Sequence, residues 1–293
     1  CSRRFTAFLS GRSPPQRSRA EVIPSRIIRN SKMQRAIAVA RRVWFAGRGE
    51  QIEMYGHRLR YVPGTRPVRL KYRNDPDLTV RNDVKQLEFL GKNVKQGEFV
   101  IDIGANVGQY AVLLGALVGP RGKVIAFEPE RGARALLESN VALNNLRARV
   151  KVEPFAVCDS EGERTFYSRD GDMMSSLHRA GFGTNAGLSD IRETRVQAVS
   201  FDGYLASNGL PDPQWLKIDA EGAEIQVLKS ARRALAGRTK ILCELHPYAW
   251  DSFGNTFDEL KKLVESFGRT MRFLDESRDI SNGPDYGAVI IDP

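Results

Sequence analysis

The sequence predicts an α/β fold: a seven-stranded, mostly parallel sheet with helices on both faces, ending in a C-terminal strand pair. Three observations predict it. From Gly97 onward, short apolar runs alternate with helix-length segments, the pattern of a parallel sheet covered on both sides. VIDIGANVGQY (Val100 to Tyr110) and KVIAFEPE (Lys123 to Glu130) then place a strand, a turn-prone segment, a helix and a second strand ending on an acid in the order of a nucleotide-binding βαβ unit. Finally, Arg269 to Leu274 and Tyr286 to Ile291 are strand-like runs joined by a loop containing Gly, Pro and Asn.

The elements follow in order. Residues 1–47 hold eleven Lys and Arg against one acid, Glu21, whereas the rest of the chain holds 34 basic and 34 acidic side chains. The net charge of +10 therefore belongs to a tail, and the remainder lacks the basic surface expected of a nucleic-acid binder. Cys1 to Ser31, rich in Arg, Ser and Pro, is expected to be disordered. Met33, Ile37, Ala40 and Trp44 recur at helical spacing, which predicts a short basic amphipathic helix over Lys32 to Ala46. Docking on its own domain is the simpler use of that helix, and weak contact with an acidic membrane is the alternative. Gln51 to Leu70 reads as a hairpin around Gly56 and the PGTRP turn, covering one end of the following domain, and Asn82 to Leu90 reads as a helix. The expected organisation is a tail over 1–47, a hairpin and helix region over 48–96, and a catalytic domain over 97–293.

Within that domain strands are predicted at Phe99 to Ile103, Val124 to Phe127, Arg149 to Val152, Trp215 to Ile218 and Ile241 to Leu245, and a helix at Thr256 to Phe267. An insertion from Glu161 to Ser200 has strand-like ends, Arg164 to Ser168 and Thr194 to Val199. Its aperiodic centre, Gly171 to Ser189, is expected to form part of an acceptor pocket or its lid. No apolar run approaches the length of a membrane span. The three widely spaced cysteines form neither a metal-ligand pair nor a disulfide scaffold, which points to a reducing, cytoplasmic setting, with Cys158 and Cys243 as small buried residues.

Spacing discriminates between cofactors. A dinucleotide fingerprint needs GxGxxG, but the segment here is DxGxNxG: Asp102, Gly104, Asn106, Gly108. Asn106 tolerates left-handed backbone, so the turn stays tight without a second glycine. With no basic residue in the turn, a cationic sulfonium suits Asp102 better than a pyrophosphate does, and S-adenosylmethionine is the expected cofactor. Glu128, at the end of the second strand, is placed to accept hydrogen bonds from ribose hydroxyls.

VIDIGANVGQY and AFEPE, together with AVCD (Ala156 to Asp159), LKIDAEGAE (Leu216 to Glu224) and ILCELHP (Ile241 to Pro247), resemble the FkbM-type S-adenosylmethionine-dependent methyltransferases from about Phe89 to the C-terminus. The resemblance implies a Rossmann-like class I methyltransferase fold, in which the C-terminal strand pair is antiparallel. It also implies O-methylation of an alcohol hydroxyl on a sugar, glycolipid, polysaccharide or polyketide-like metabolite, and an acid or amide of AVCD, with Asp159 the candidate, near the adenine. An NAD-dependent oxidoreductase and an RNA methyltransferase are the alternatives.

Asp219 ends the fourth strand on the carboxyl side of the sheet, where open α/β folds bind ligands, and Glu221 and Glu224 follow it. Three acids in six residues exceed what stabilising a helix N-terminus requires. His246, delivered by the fifth strand after Glu244, has an ordinary pKa suited to proton transfer near neutrality. Asp219, Glu221 and His246 are the catalytic candidates. No fixed ligand spacing supports a metal, and none is assigned. The acceptor is expected to be a small molecule or glycan.

Overall fold

The computed structural model describes residues 50–54, 56–61, 78–169, 175–178 and 191–293. The basic tail, its amphipathic helix, the PGTRP turn and most of the Gly171 to Ser189 segment lie outside the described residues. Strands β1 (Glu50–Met54) and β2 (His57–Tyr61) form the hairpin, followed by α1 (Leu78–Asn93). The main unit continues as β3 (Phe99–Ile103), α2 (Gln109–Leu117), β4 (Lys123–Phe127), α3 (Arg131–Leu143), β5 (Val150–Glu153) and β6 (Ala156–Val157). Then come β7 (Gly162–Arg169), β8 (Ser175–Ser176), β9 (Ile191–Val199), α4 (Phe201–Ser207), β10 (Trp215–Ile218), α5 (Glu224–Ser230) and α6 (Arg232–Ala236). The chain ends with β11 (Lys240–Leu245), α7 (Pro247–Trp250), α8 (Phe257–Ser266), β12 (Thr270–Phe273) and β13 (Gly287–Asp292).

The seven-stranded sheet has the order β12-β13-β11-β10-β3-β4-β5. Its five central strands are parallel, and β13 runs antiparallel to both β11 and β12. Alternation along β3 explains the layering. Val100 points to a core shared with α1, α2 and α3, whereas Phe99, Ile101 and Ile103 point to a core shared with α4, α5, α6 and α8. All five β3 residues are buried, as expected of a strand covered on both faces.

The hairpin lies against α3 and α2, and α3 supplies it with polar partners. Asn144 Oδ1 accepts from Arg58 N and Asn144 Nδ2 donates to Arg58 O, at 3.0 and 2.6 Å; Asn140 does the same with Arg60, at 2.6 and 2.8 Å. The insertion builds something that its strand-like ends alone did not predict, a second sheet of order β6-β9-β7-β8. Here β7 and β9 pair antiparallel from Gly162 opposite Ala198 to Arg169 opposite Ile191. Cys158 and Cys243 are free and buried, and among the described residues no helix is long and apolar enough to cross a membrane.

Candidate active site

The chain order reverses beside β3: β4 and β5 lie on one side and β10 on the other. That switch point leaves a crevice at the carboxyl ends of the strands, the place where open α/β sheets take ligands. A cavity opens there, between the tips of β3, β4 and β10, the segment after β5, and the second sheet.

The β3 tip turns tightly. Gly104 (φ 76°), Asn106 (φ 50°) and Gly108 (φ 90°) all adopt positive φ, as the turn chemistry predicted. A Cβ at Gly104 would stand 1.8 Å from the carbonyl oxygen of Asp219, so only glycine lets the β3 and β10 tips meet. Gly104 and Asn106 line the cavity; Gly108 does not, and a Cβ there would press on Leu137 of α3 at 2.5 Å.

Glu128 lines the cavity and is almost wholly buried. Its two oxygens accept from the amides of Asn106 (2.8 Å) and Glu130 (2.7 Å), which tie the β3 turn to the β4 tip. Burial lifts its carboxyl to about 7 despite those bonds. Beside it, Phe127, Pro129, Phe155, Val157, Phe166 and Leu177 make an apolar wall. Asp159 is exposed and outside the lining, whereas Ala156 and Val157 of the same segment are part of it.

Asp102 sits behind the cavity. Fully buried, it faces Lys217 Nζ at 3.6 Å, and Lys217 in turn donates to Asp219 Oδ2 at 3.1 Å. Burial opposes charge on Lys217, but the carboxylates of Asp219, Asp102 and Glu244 hold its pKa above the ordinary lysine value. Its ammonium also lies 4.3 Å from the centre of the Tyr110 ring. Lys217 was missed in the sequence; the available signal was a lone lysine inside the apolar strand WLKI, a place a charge occupies only when paired.

The β10 and β11 tips bring Asp219, Glu221 and His246 together. Asp219 and Glu221 line the cavity, and Glu221 takes positive φ (46°) immediately before Gly222 (102°). His246, nearly buried, lies behind them with Nε2 3.9 Å from Asp219 Oδ1 and 3.5 Å from Glu221 Oε2. Its Nδ1 pairs with Glu224 Oε1 at 2.8 Å, and Glu224 also accepts from Gly222 N and Trp250 Nε1, each at 2.8 Å. Glu224 is therefore the structural anchor of the group. Burial works against an imidazolium, but Glu221 and Glu224 outweigh it and push His246 well above the usual histidine value. Burial lifts Glu221 to about 7, with His246 opposing and Asp219, Glu244 and Glu224 reinforcing the rise. Glu244 faces elsewhere, accepting from Asn82, Gln86 and Tyr286, and so fastens α1 to the sheet. The described part of the insertion reaches the same place. Leu177 lines the cavity, and Ser176 Oγ donates to the Glu221 carbonyl at 2.8 Å.

With this geometry in hand, the family description "Methyltransferase FkbM domain" matches residues 102–275, more than half of the chain. The chain belongs to the FkbM methyltransferase family. Among curated relatives, the hexuronic acid methyltransferase AglP of Haloferax volcanii is 27% identical over 58% of this chain and 64% of its own length. The methyltransferase sdnD of Sordaria araneosa is 26% identical over 47% and 61%, and the AMB antimetabolite synthetase AmbE of Pseudomonas aeruginosa 28% identical over 58% and 9%. The matches thus cover less than two thirds of each of these relatives. Solved structures that align include the 16S rRNA N2 G1207 methyltransferase RsmC of T. thermophilus (12% identity, TM-score 0.45, 84% of this chain and 50% of that one). An O-methyltransferase from Bacillus cereus also aligns (13% identity, TM-score 0.41, 91% and 92%).

S-adenosylmethionine is the cofactor of this FkbM domain, and the cavity fits it. The described lining carries the carboxylates of Glu128, Asp219 and Glu221 and no Lys or Arg, which suits a sulfonium and disfavours the pyrophosphate of a dinucleotide. The NAD-dependent alternative falls on both the family and the lining.

Proposed function

We propose that the domain over residues 97–293 transfers a methyl group from S-adenosylmethionine to an alcohol hydroxyl of a sugar, glycolipid, polysaccharide or polyketide-like metabolite. The observation that carries this reading is one cavity lined both by the cofactor-suited Gly104, Asn106 and Glu128 and by a carboxylate pair, Asp219 and Glu221. The similarity to AglP, a hexuronic acid methyltransferase, supports a sugar-like acceptor.

Bound S-adenosylmethionine supplies a methyl carbon on a sulfonium, whose displacement leaves a neutral thioether. The chain has three tasks. Glu128 receives the ribose hydroxyls, while the apolar wall from Phe127 to Leu177 takes the adenine and excludes water. Asp102 and Gly108 act indirectly, through Lys217 and through the packing of α2 on α3, and the Ala156–Val157 backbone, rather than the Asp159 side chain, meets the adenine edge. Asp219, fixed by Lys217, and Glu221 would orient the acceptor hydroxyl toward the transferable methyl, and one of the two carboxylates would accept its proton. His246 is a positioning residue that holds the two carboxylates from behind.

Incubating the chain with methyl-labelled S-adenosylmethionine and a panel of glycans and hydroxylated metabolites tests this. Label recovered as an O-methyl ether supports the reading; label on nitrogen or carbon, or none despite tight S-adenosylhomocysteine binding, rejects it.

A further inference from the structure

Three donor atoms at the rear of the cavity are spaced as ligands of one ion. One ligand atom each from Asp219, Glu221 and His246 lies within 4.8 Å of the other two, and Nε2 stands 3.5 and 3.9 Å from the nearest carboxylate oxygens of its neighbours. Atoms bound at ~2.0 to 2.2 Å from a transition metal stand ~3 to 4.3 Å from one another, so little movement would close the set.

Two further features point the same way. The imidazole has the support typical of a metal-bound histidine: its other nitrogen is held at 2.8 Å by Glu224, a carboxylate with no exposed surface that is itself fixed by Gly222 N and Trp250 Nε1. That brace leaves Nε2 as the only nitrogen able to reach the cavity side. The surroundings are also short of positive charge. Asp102, Asp219, Glu221, Glu224 and Glu244 crowd the β3, β10 and β11 tips, and the one lysine among them, Lys217, is already shared between Asp102 and Asp219. Lys217 engages Asp219 Oδ2, so Oδ1, the oxygen facing His246, is left toward the proposed ion.

We propose that Asp219, Glu221 and His246 bind one divalent first-row transition-metal ion through two carboxylate oxygens and one imidazole nitrogen. Asp219 and Glu221 are the two ligands that remain partly exposed, so the open coordination positions face the cavity. Resting on the methyl-transfer reading, the ion's role is to hold the acceptor hydroxyl and acidify it. With the ion in place Asp219 and Glu221 serve as its ligands, so the acidified hydroxyl gives its proton to water instead of directly to a carboxylate, while the O–C bond forms and the C–S bond breaks. Imidazole together with carboxylates suits manganese, iron or zinc better than magnesium or calcium.

The test uses the full chain, stripped with a chelator and dialysed, with divalent manganese as probe, read by electron paramagnetic resonance and by competition with zinc. One bound manganese per chain, displaced by zinc and weakened at least tenfold in both Asp219→Asn and His246→Gln, is the expected result. Failure of the unaltered chain to bind either ion at millimolar concentration overturns the proposal, as does binding that both variants leave unchanged. Calorimetry with S-adenosylhomocysteine in excess chelator reads the cofactor site separately. If the nucleoside binds while manganese does not, the ion falls and methyl transfer stands; if the nucleoside fails to bind, the methyl-transfer reading itself falls.

Discussion

The two ends of the cavity are built by different means. At the β3 and β4 tips the work is done by backbone: positive-φ residues make the turn, and Glu128 is held by two backbone amides, those of Asn106 and Glu130. At the β10 and β11 tips it is done by side chains, with Lys217, Glu224, His246 and Trp250 locking Asp219 and Glu221 through contacts up to 27 positions apart. A backbone cradle tolerates loss of one side chain better than a buried charge network does, because an orphaned charge in low dielectric is costly.

The largest expected effect falls on the side-chain end. Asp219→Asn should cut turnover roughly 100- to 10,000-fold, the usual range for a lost proton acceptor, while calorimetry shows S-adenosylhomocysteine affinity nearly unchanged. If turnover survives, that end is structural only. Lys217→Met should lower stability by ~3–5 kcal/mol in urea denaturation, because Asp102 and Asp219 lose the cation buried between them. An unchanged midpoint would mean that the network contributes nothing to the fold.

At the backbone end, Glu128→Ala should weaken S-adenosylhomocysteine by ~1.5–3 kcal/mol, the worth of hydrogen bonds to a charged acceptor, and should also lower the melting temperature, because the amides of Asn106 and Glu130 lose their acceptor. Undiminished affinity would remove Glu128 from the ribose site. The smallest effect is one of pH. Burial raises the Glu128 carboxyl to about 7, so lowering pH from 8 to 6 protonates it and removes acceptor capacity. Affinity should fall about tenfold over that interval, and Glu128→Gln should abolish the dependence.

The same division explains how much could be read from the chain. All seven strands of the main sheet were legible: the inner five, buried on both faces, leave short apolar runs such as FVIDI and WLKI, and the partly exposed edge strands VKVE and TMRF are short runs of similar length. The turn at Gly104 and Asn106 and the acid at Glu128 were legible for the same local reason. What escaped reading depends on partners distant in sequence. Nothing local to Glu244 announces its partners, Asn82 and Gln86, some 160 positions away. The four-stranded sheet was hidden because β7 and β9 are separated by the aperiodic insertion, and β6 is two residues long. Gly108 resembles a cofactor glycine in the motif, yet its neighbour is Leu137, a packing demand that spacing does not encode.

The two asparagines of α3 have a wider consequence. By exchanging both amide and carbonyl with Arg58 and Arg60, Asn140 and Asn144 act as a surrogate third strand for the hairpin. A two-stranded ribbon otherwise exposes an unpaired margin to which any extended peptide can add, an invitation to aggregation. Here that margin is occupied by carboxamides projecting from a helix, so the ribbon is sealed against self-association on this side without further β-structure.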